Sequence, residues 1–167
     1  MEHDIIASSS QLAIADWNSN HDSMTQLYNK RHYKEQLREL QEDGTIGVLY
    51  FDIDNLKKMN DTFGHEKGDA VILKAAEFIR GYLSEQASGF RIGGDEFVML
   101  VKDCTEQKVQ ELVNMMRTDE RGNLSDVTAE FYCRLAIGGA FRKTGEALED
   151  TIKRADDEMY KNKHSVR

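Results

Sequence analysis

Four carboxylates stand where a chain could do chemistry: Asp52 and Asp54 close an apolar run, and Asp95 and Glu96 follow two glycines between alternating apolar segments. Phe90-Arg91-Ile92-Gly93-Gly94-Asp95-Glu96-Phe97-Val98-Met99-Leu100 reads as a hairpin with an acidic tip. Gly93 and Gly94 are expected to supply the positive φ angles of a tight turn and to let a large ligand approach the backbone. On turn chemistry alone, a solvated hairpin explains this stretch better. A second acidic strand end about 40 residues upstream reverses that balance, because a strand, a helical crossover and a neighbouring strand need about that distance. Two strand ends would then gather three or four carboxylates. A carboxylate at the end of a buried strand is costly unless it is paired or binds a cation. Mg²⁺ takes a few carboxylate or carbonyl oxygens plus substrate phosphates, which Asp52, the Ile53 carbonyl and Asp95 could supply. Asp52 and Asp54 acting only as caps of the following turn is the equal alternative.

These carboxylates need elements to hold them. Ile46 to Phe51 has the length and composition of a doubly buried central strand. The stretch after it, rich in Asn, Asp and Gly, reads as a loop, and a helix is expected from Asp69 with Ile72, Ala75, Ala76, Ile79 and Leu83 on one face. Asn29 caps a helix carrying Tyr33, Leu37 and Leu40. Val109, Leu112, Val113 and Met116 mark another helix, and Arg121 to Ser125 a polar loop. Phe131, Cys133, Leu135 and Ile137 have strand period, and Leu148, Ile152, Ala155 and Met159 line a last helix. Residues 1 to 21 are expected to be a lead-in helix or linker, and 22 to 167 one domain. Helices alternating with strands around a hairpin predict an α/β (α+β) fold with a mixed central sheet flanked by helices.

Composition narrows the classes. The chain has 167 residues and a net charge of -8, which excludes a general nucleic-acid binder or membrane-surface protein. No apolar run is long enough to span a membrane, and the acidic N-terminus has no signal-peptide character. Cys104 and Cys133 are expected to be reduced, inert thiols of a cytoplasmic protein. Lys57 is either a phosphate ligand or a solvated lysine. His3, His21, His32 and His164 lack metal-ligand spacing, and His65 is expected to hold its loop by hydrogen bonds.

Taken together, Asp22-Ser23-Met24-Thr25-Gln26-Leu27-Tyr28-Asn29-Lys30-Arg31, Asp52-Ile53-Asp54 through Asn60-Asp61, Phe63-Gly64-His65, Gly68-Asp69 and Gly93 to Phe97 resemble the GGDEF-domain diguanylate cyclases. The likeness runs to the final helix with Ala155-Asp156, Tyr160 and Lys163. It implies a fold akin to nucleotidyl cyclase and polymerase palm domains, condensing two GTP into cyclic di-GMP and two pyrophosphates. It assigns metal binding to Asp52, the Ile53 carbonyl and Asp95, and catalysis to Asp95, Glu96 and Asp52. It places guanine on Asn60 and Asp69, and phosphates near Lys57, Lys163 and Arg167, with Gly93 and Gly94 at the substrate and Arg91 supporting the hairpin or phosphates. Two Mg²⁺ or Mn²⁺ per site are implied with it, and the twofold symmetry of that product together with the acidic charge predicts a weak or transient homodimer.

The pattern is not complete. Gln26 stands where the family usually has Gly, and Val166 where a Gly usually precedes the terminal Arg. An inhibitory product site, Arg-x-x-Asp before the hairpin, is replaced by Ser84-Glu85-Gln86-Ala87. A non-catalytic GTP-binding or dimerising regulatory module is the alternative reading, and the intact Gly93 to Phe97 favours the enzyme. A cyclic di-GMP receptor is disfavoured by the missing Arg-x-x-Asp. About 20 residues precede Asp22, fewer than a domain requires, so a sensor or partner is expected to lie outside this sequence.

Overall fold

The structure is a computed structural model and describes residues 2–41, 44–124 and 132–165. Its elements are α1 (Glu2–Asn20), α2 (Lys30–Glu39), β1 (Ile46–Ile53), α3 (Leu56–Phe63), α4 (His65–Arg80), β2 (Ala87–Arg91), β3 (Glu96–Lys102), α5 (Glu106–Thr118), β4 (Leu135–Phe141) and α6 (Leu148–Ser165). The four strands form one sheet in the order β2-β3-β1-β4. β1 is therefore central, as its apolar composition predicts, and it is buried along nearly its whole length. The α+β architecture stands as read from the sequence. Each neighbouring strand pair is antiparallel, whereas a mixed sheet was expected. The crossover from β1 through α3 and α4 returns in β2, which runs parallel to β1 but is separated from it by β3. A parallel bridge, Tyr28 to Phe90, joins the loop before α2 to β2.

Alternation along β1 sends its side chains to two cores. Leu49, Phe51 and Ile53 join residues of α3, α4 and α5, among them Met59, Ile79 and Val113. Val48 joins Tyr33 and Leu40 of the α2 region and Leu148 and Ala155 of α6. The helices thus cover both faces of the sheet. Asn29 caps α2 through its side chain, which accepts from the His32 amide at 2.9 Å.

Three elements differ from expectation. The supposed loop after β1 contains α3, because Leu56 and Met59, three residues apart, are buried beneath a polar exterior. The chain turns into it at Asn55, whose φ is 64°. Next, α4 starts at His65 rather than Asp69, directly after Gly64, which has a φ of 86°. Finally, β4 runs from Leu135 to Phe141, beyond the alternating stretch that marked it. Its middle is Gly138-Gly139-Ala140, small residues that give no alternation signal because helices rest on them. A Cβ on Gly138 would lie 2.0 Å from the Met159 backbone N, so α6 sits directly on the strand. Phe131, Ser125, Val166 and Arg167 lie outside the described residues.

Candidate active site

The register of the β1/β3 ladder sets Asp52 opposite Glu96. The hairpin is pinned to the strand end by the Ile53 amide, which donates to the Asp95 carbonyl at 3.0 Å. Both acidic strand ends therefore meet, as their separation in sequence implied. Asp52 is only 7% exposed, and α6 delivers Lys163, whose Nζ donates to Asp52 Oδ2 at 2.5 Å. Burial raises the Asp52 carboxyl to about 6, Lys163 opposing the rise and Asp95 adding to it. Burial and the nearby charges of Asp95 and Asp156 likewise push Glu96 up, against Lys30 and Lys163. Burial works against the Lys163 charge, yet Asp52, Asp54 and Asp95 hold its ammonium above the usual lysine range.

The hairpin is braced from behind by Arg91. Its Nε donates to the Gly93 carbonyl at 3.2 Å and its Nη2 to the Gly94 carbonyl at 2.9 Å. Nη1 reaches Asp22 Oδ2 at 3.2 Å, and that same oxygen accepts from the Thr25 amide and hydroxyl. Of the two roles expected for Arg91, support of the hairpin is the one its hydrogen bonds serve. The glycines do not supply the positive φ expected of them. Among the glycines of the described residues positive φ occurs at Gly44, Gly64 and Gly145, not at Gly93 or Gly94. Gly93 instead makes room for Glu96, whose Oε2 would lie 3.1 Å from an added Cβ. Gly94 faces open space, with no atom within 4 Å of such a Cβ.

Asn60, Asp69 and Lys57 lie on the α3–α4 corner that leads off the end of β1. Asn60 is laid over α4 at Gly68, where an added Cβ would fall 1.7 Å from its Oδ1. That contact brings Asn60 next to the turn of helix carrying Asp69. Lys57, Asp69 and His65 are exposed. Several neighbours of the acidic pair were not singled out from the sequence. Asp156 acts on Glu96, Lys30 offsets it, and Tyr50 shares the Asp52 face of β1. Burial first, then Glu96 and Asp156, pushes the Tyr50 phenol far up. The period of two from Tyr50 to Asp52 was a usable signal for one of them; Asp156 and Lys30 stand in the stretches that carry the family likeness, which gave them no role at the site.

A hard divalent cation is bound through oxygens, and these donors fit one: carboxylates and a backbone carbonyl, with negative charge in excess at a buried position. No group of three or more His, Cys, Asp or Glu poised for a metal occurs among the described residues. The set expected from the sequence, Asp52, the Ile53 carbonyl and Asp95, contains only two such side chains. No helix among the described residues is long and apolar enough to cross a membrane.

A sequence model described as "Diguanylate cyclase, GGDEF domain" matches residues 19–167. The chain belongs to the GGDEF-domain family. This GGDEF domain is 30% identical over 149 residues to the probable diguanylate cyclase DgcJ of Escherichia coli, covering 86% of this chain and 29% of DgcJ. It is 28% identical to the diguanylate cyclase DgcS of Shewanella oneidensis, over 87% of this chain and 50% of DgcS. The chain thus spans half or less of these relatives. Among solved structures, the coiled coil and GGDEF domain of DgcB from Caulobacter crescentus, in complex with c-di-GMP, superposes with a TM-score of 0.80 at 26% identity, over 99% of this chain and 92% of that one. The diguanylate cyclase SiaD of Pseudomonas aeruginosa, in complex with its activator SiaC, gives 0.75 at 26% identity, over 99% of this chain and 68% of that one.

Proposed function

We propose that this GGDEF domain is a diguanylate cyclase that condenses two GTP into cyclic di-GMP and two pyrophosphates, as the cytoplasmic output domain of a signalling protein. The observation that carries the reading is Asp52, buried at a strand end opposite Glu96 and held by Lys163. Asp52, the Ile53 carbonyl and Asp95 would hold divalent cations, Mg²⁺ or Mn²⁺. When bound, these supply charge neutralisation at the α-phosphate and acidify the attacking hydroxyl. Beyond that, phosphoryl transfer asks mainly for positioning.

The chain's own groups divide that work. Asp69 and Asn60 take the guanine edge, the Asp69 carboxylate accepting from N1–H and the exocyclic amine. Lys57 and Lys163, with Arg167, meet the phosphates. Gly94 leaves open the space over the tip, and Arg91 keeps the tip rigid. In each half reaction a 3′-oxygen bonds to the other nucleotide's α-phosphorus, the α–β phosphoanhydride breaks, and pyrophosphate leaves. The product is twofold symmetric and each chain offers one such cluster, so two chains would face each other in a C2 dimer.

Incubating the purified chain with GTP and Mg²⁺ and resolving the products tests this directly. Cyclic di-GMP and pyrophosphate are expected, with turnover lost by at least about a hundredfold in Asp52→Ala or Asp95→Ala. Circular dichroism should show both variants folded. GTP returned unchanged by the unaltered chain would favour the non-catalytic GTP-binding or dimerising module, whereas full activity in either variant would remove the metal-site assignment.

A further inference from the structure

A column of aromatic rings runs from α1 into the strand that carries the hairpin. Trp17, the chain's one tryptophan, stacks on His21 with ring centroids 3.5 Å apart and planes 12° from parallel. His21 meets Tyr28 at 4.6 Å, and Tyr28 meets Phe90 of β2 at 5.5 Å. His32 closes the column from the α2 side, 4.4 Å from Tyr28 and 6.2 Å from Phe90. Phe90 is fully buried, so the column is anchored in the core at one end. At the other end Trp17 is 53% exposed.

The backbone follows the same route. His21 and Tyr28 form a bridge, the Tyr28 amide donates to Gly89 at 3.1 Å, and the Arg91 amide donates to Tyr28 at 2.9 Å. The end of α1 is tied in as well: Asn29 Nδ2 donates to the Ser19 carbonyl at 2.8 Å, and Arg31 Nη2 to Asn20 Oδ1 at 2.8 Å. One residue past Phe90, the Arg91 guanidinium holds the Gly93 and Gly94 carbonyls.

We propose that the Trp17-His21-Tyr28-Phe90 column is a mechanical coupler through which the position of α1 sets the rigidity of the hairpin tip. Stacked rings transmit displacement because their offset geometry is energetically preferred and their neighbours are close-packed. Trp17 and His21 are positioning residues in this device, since neither lies at the tip. Displacement of the last turn of α1 is passed by His21 to Tyr28, then by Phe90 and Arg91 to the carbonyls of the turn. An exposed ring at the input end leaves the coupler open to whatever bears on α1.

Amide hydrogen exchange tests this without substrate, and so independently of the proposed activity. In Trp17→Ala, exchange at the amides of Tyr28, Arg91, Ile92 and Gly93 should speed up about 2- to 10-fold, the range that loss of one aromatic pair corresponds to. The Val109 amide, bonded to Thr105 at 3.1 Å at the start of α5, should not change. Trp17→Phe, which keeps a ring over His21, should restore slow exchange at the tip. Acceleration confined to α1, acceleration spread equally to Val109, or no difference between the Ala and Phe variants would each overturn the coupler.

Discussion

Lys163 Nζ lies 2.5 Å from Asp52 Oδ2, so the last helix sets a cation on the carboxylate that ends the central strand. Burial raises that carboxyl to about 6, and the proposed chemistry requires it ionised. Turnover should therefore fall as pH drops through that region, and raising Mg²⁺ should move the acid limb down because metal and proton compete for the same oxygens. In Lys163→Met the limb should move up by about one unit or more, an opposite charge having been removed. The sign for stability is the reverse. A carboxyl whose folded pKa exceeds its unfolded value of 3.8 contributes stability fully at lower pH and loses it as pH rises through about 6. Asp52→Asn should flatten that segment of the stability curve in denaturant titrations. An acid limb unmoved by both Mg²⁺ and Lys163→Met would contradict the assignment.

Two glycines should respond oppositely to the same substitution. Gly138→Ala drives a Cβ into the backbone of α6, 2.0 Å from Met159 N and 2.3 Å from the Ala155 carbonyl. The helix bearing Lys163 would have to lift, at a cost of about 3 kcal/mol or more. Gly94→Ala meets nothing within 4 Å and should keep stability within about 0.5 kcal/mol. Activity should fall all the same if the space over the tip is for substrate. Chemical denaturation beside a turnover assay separates the two effects.

Gln26 has a φ of 62°, a left-handed conformation that costs a residue with a Cβ roughly 1–2 kcal/mol. The conformation is enforced by hydrogen bonds on either side, the Gln26 amide to Asp22 at 2.8 Å and the Asp22 amide to Leu27 at 2.7 Å. Gln26→Gly should therefore stabilise the fold by about 0.5–1 kcal/mol after glycine's larger unfolded-state entropy is subtracted. A lower melting temperature in this variant would show that the glutamine side chain contributes something the loop geometry hides.

Guanine selectivity should follow from Asp69 and Asn60. Adenine has no N1 donor and would leave the carboxylate unpaired, and sites that hydrogen-bond a substrate group reject analogues lacking it by large factors. We expect ATP to be incorporated at least about a hundredfold less efficiently than GTP, and Asp69→Asn to erode that margin. Comparable kcat/KM for the two nucleotides would remove this assignment.

The dimer requirement is open to dilution. A net charge of -8 makes two copies repel, so the pair that faces two sites together should be weak. Specific activity should drop as protein is diluted and recover when a dimerising helix is fused ahead of Met1. Constant specific activity alongside a monomer in light scattering would sink the two-chain mechanism.

The chain's local patterns were enough to mark the strand ends at Asp52 and Asp95, the Asn29 cap and the amphipathic faces of α2, α4, α5 and α6. Each of these depends on a periodicity or a cap that neighbouring residues carry themselves. The helix α3 was hidden because composition spoke for a loop while only Leu56 and Met59 spoke for burial. The second half of β4 was hidden because its glycines are selected by α6 and α5, which lie far away in sequence. The same reason separates the parts of the site. Which carboxylates cluster was legible, since strand ends and spacing are local. That Lys163 reaches Asp52 across 111 positions, that Arg91 braces the tip against Asp22, and that Glu96 lies under the influence of Asp156 and Lys30 depends on how helices dock on the sheet. Docking is decided by packing of distant side chains, and no run of residues contains it.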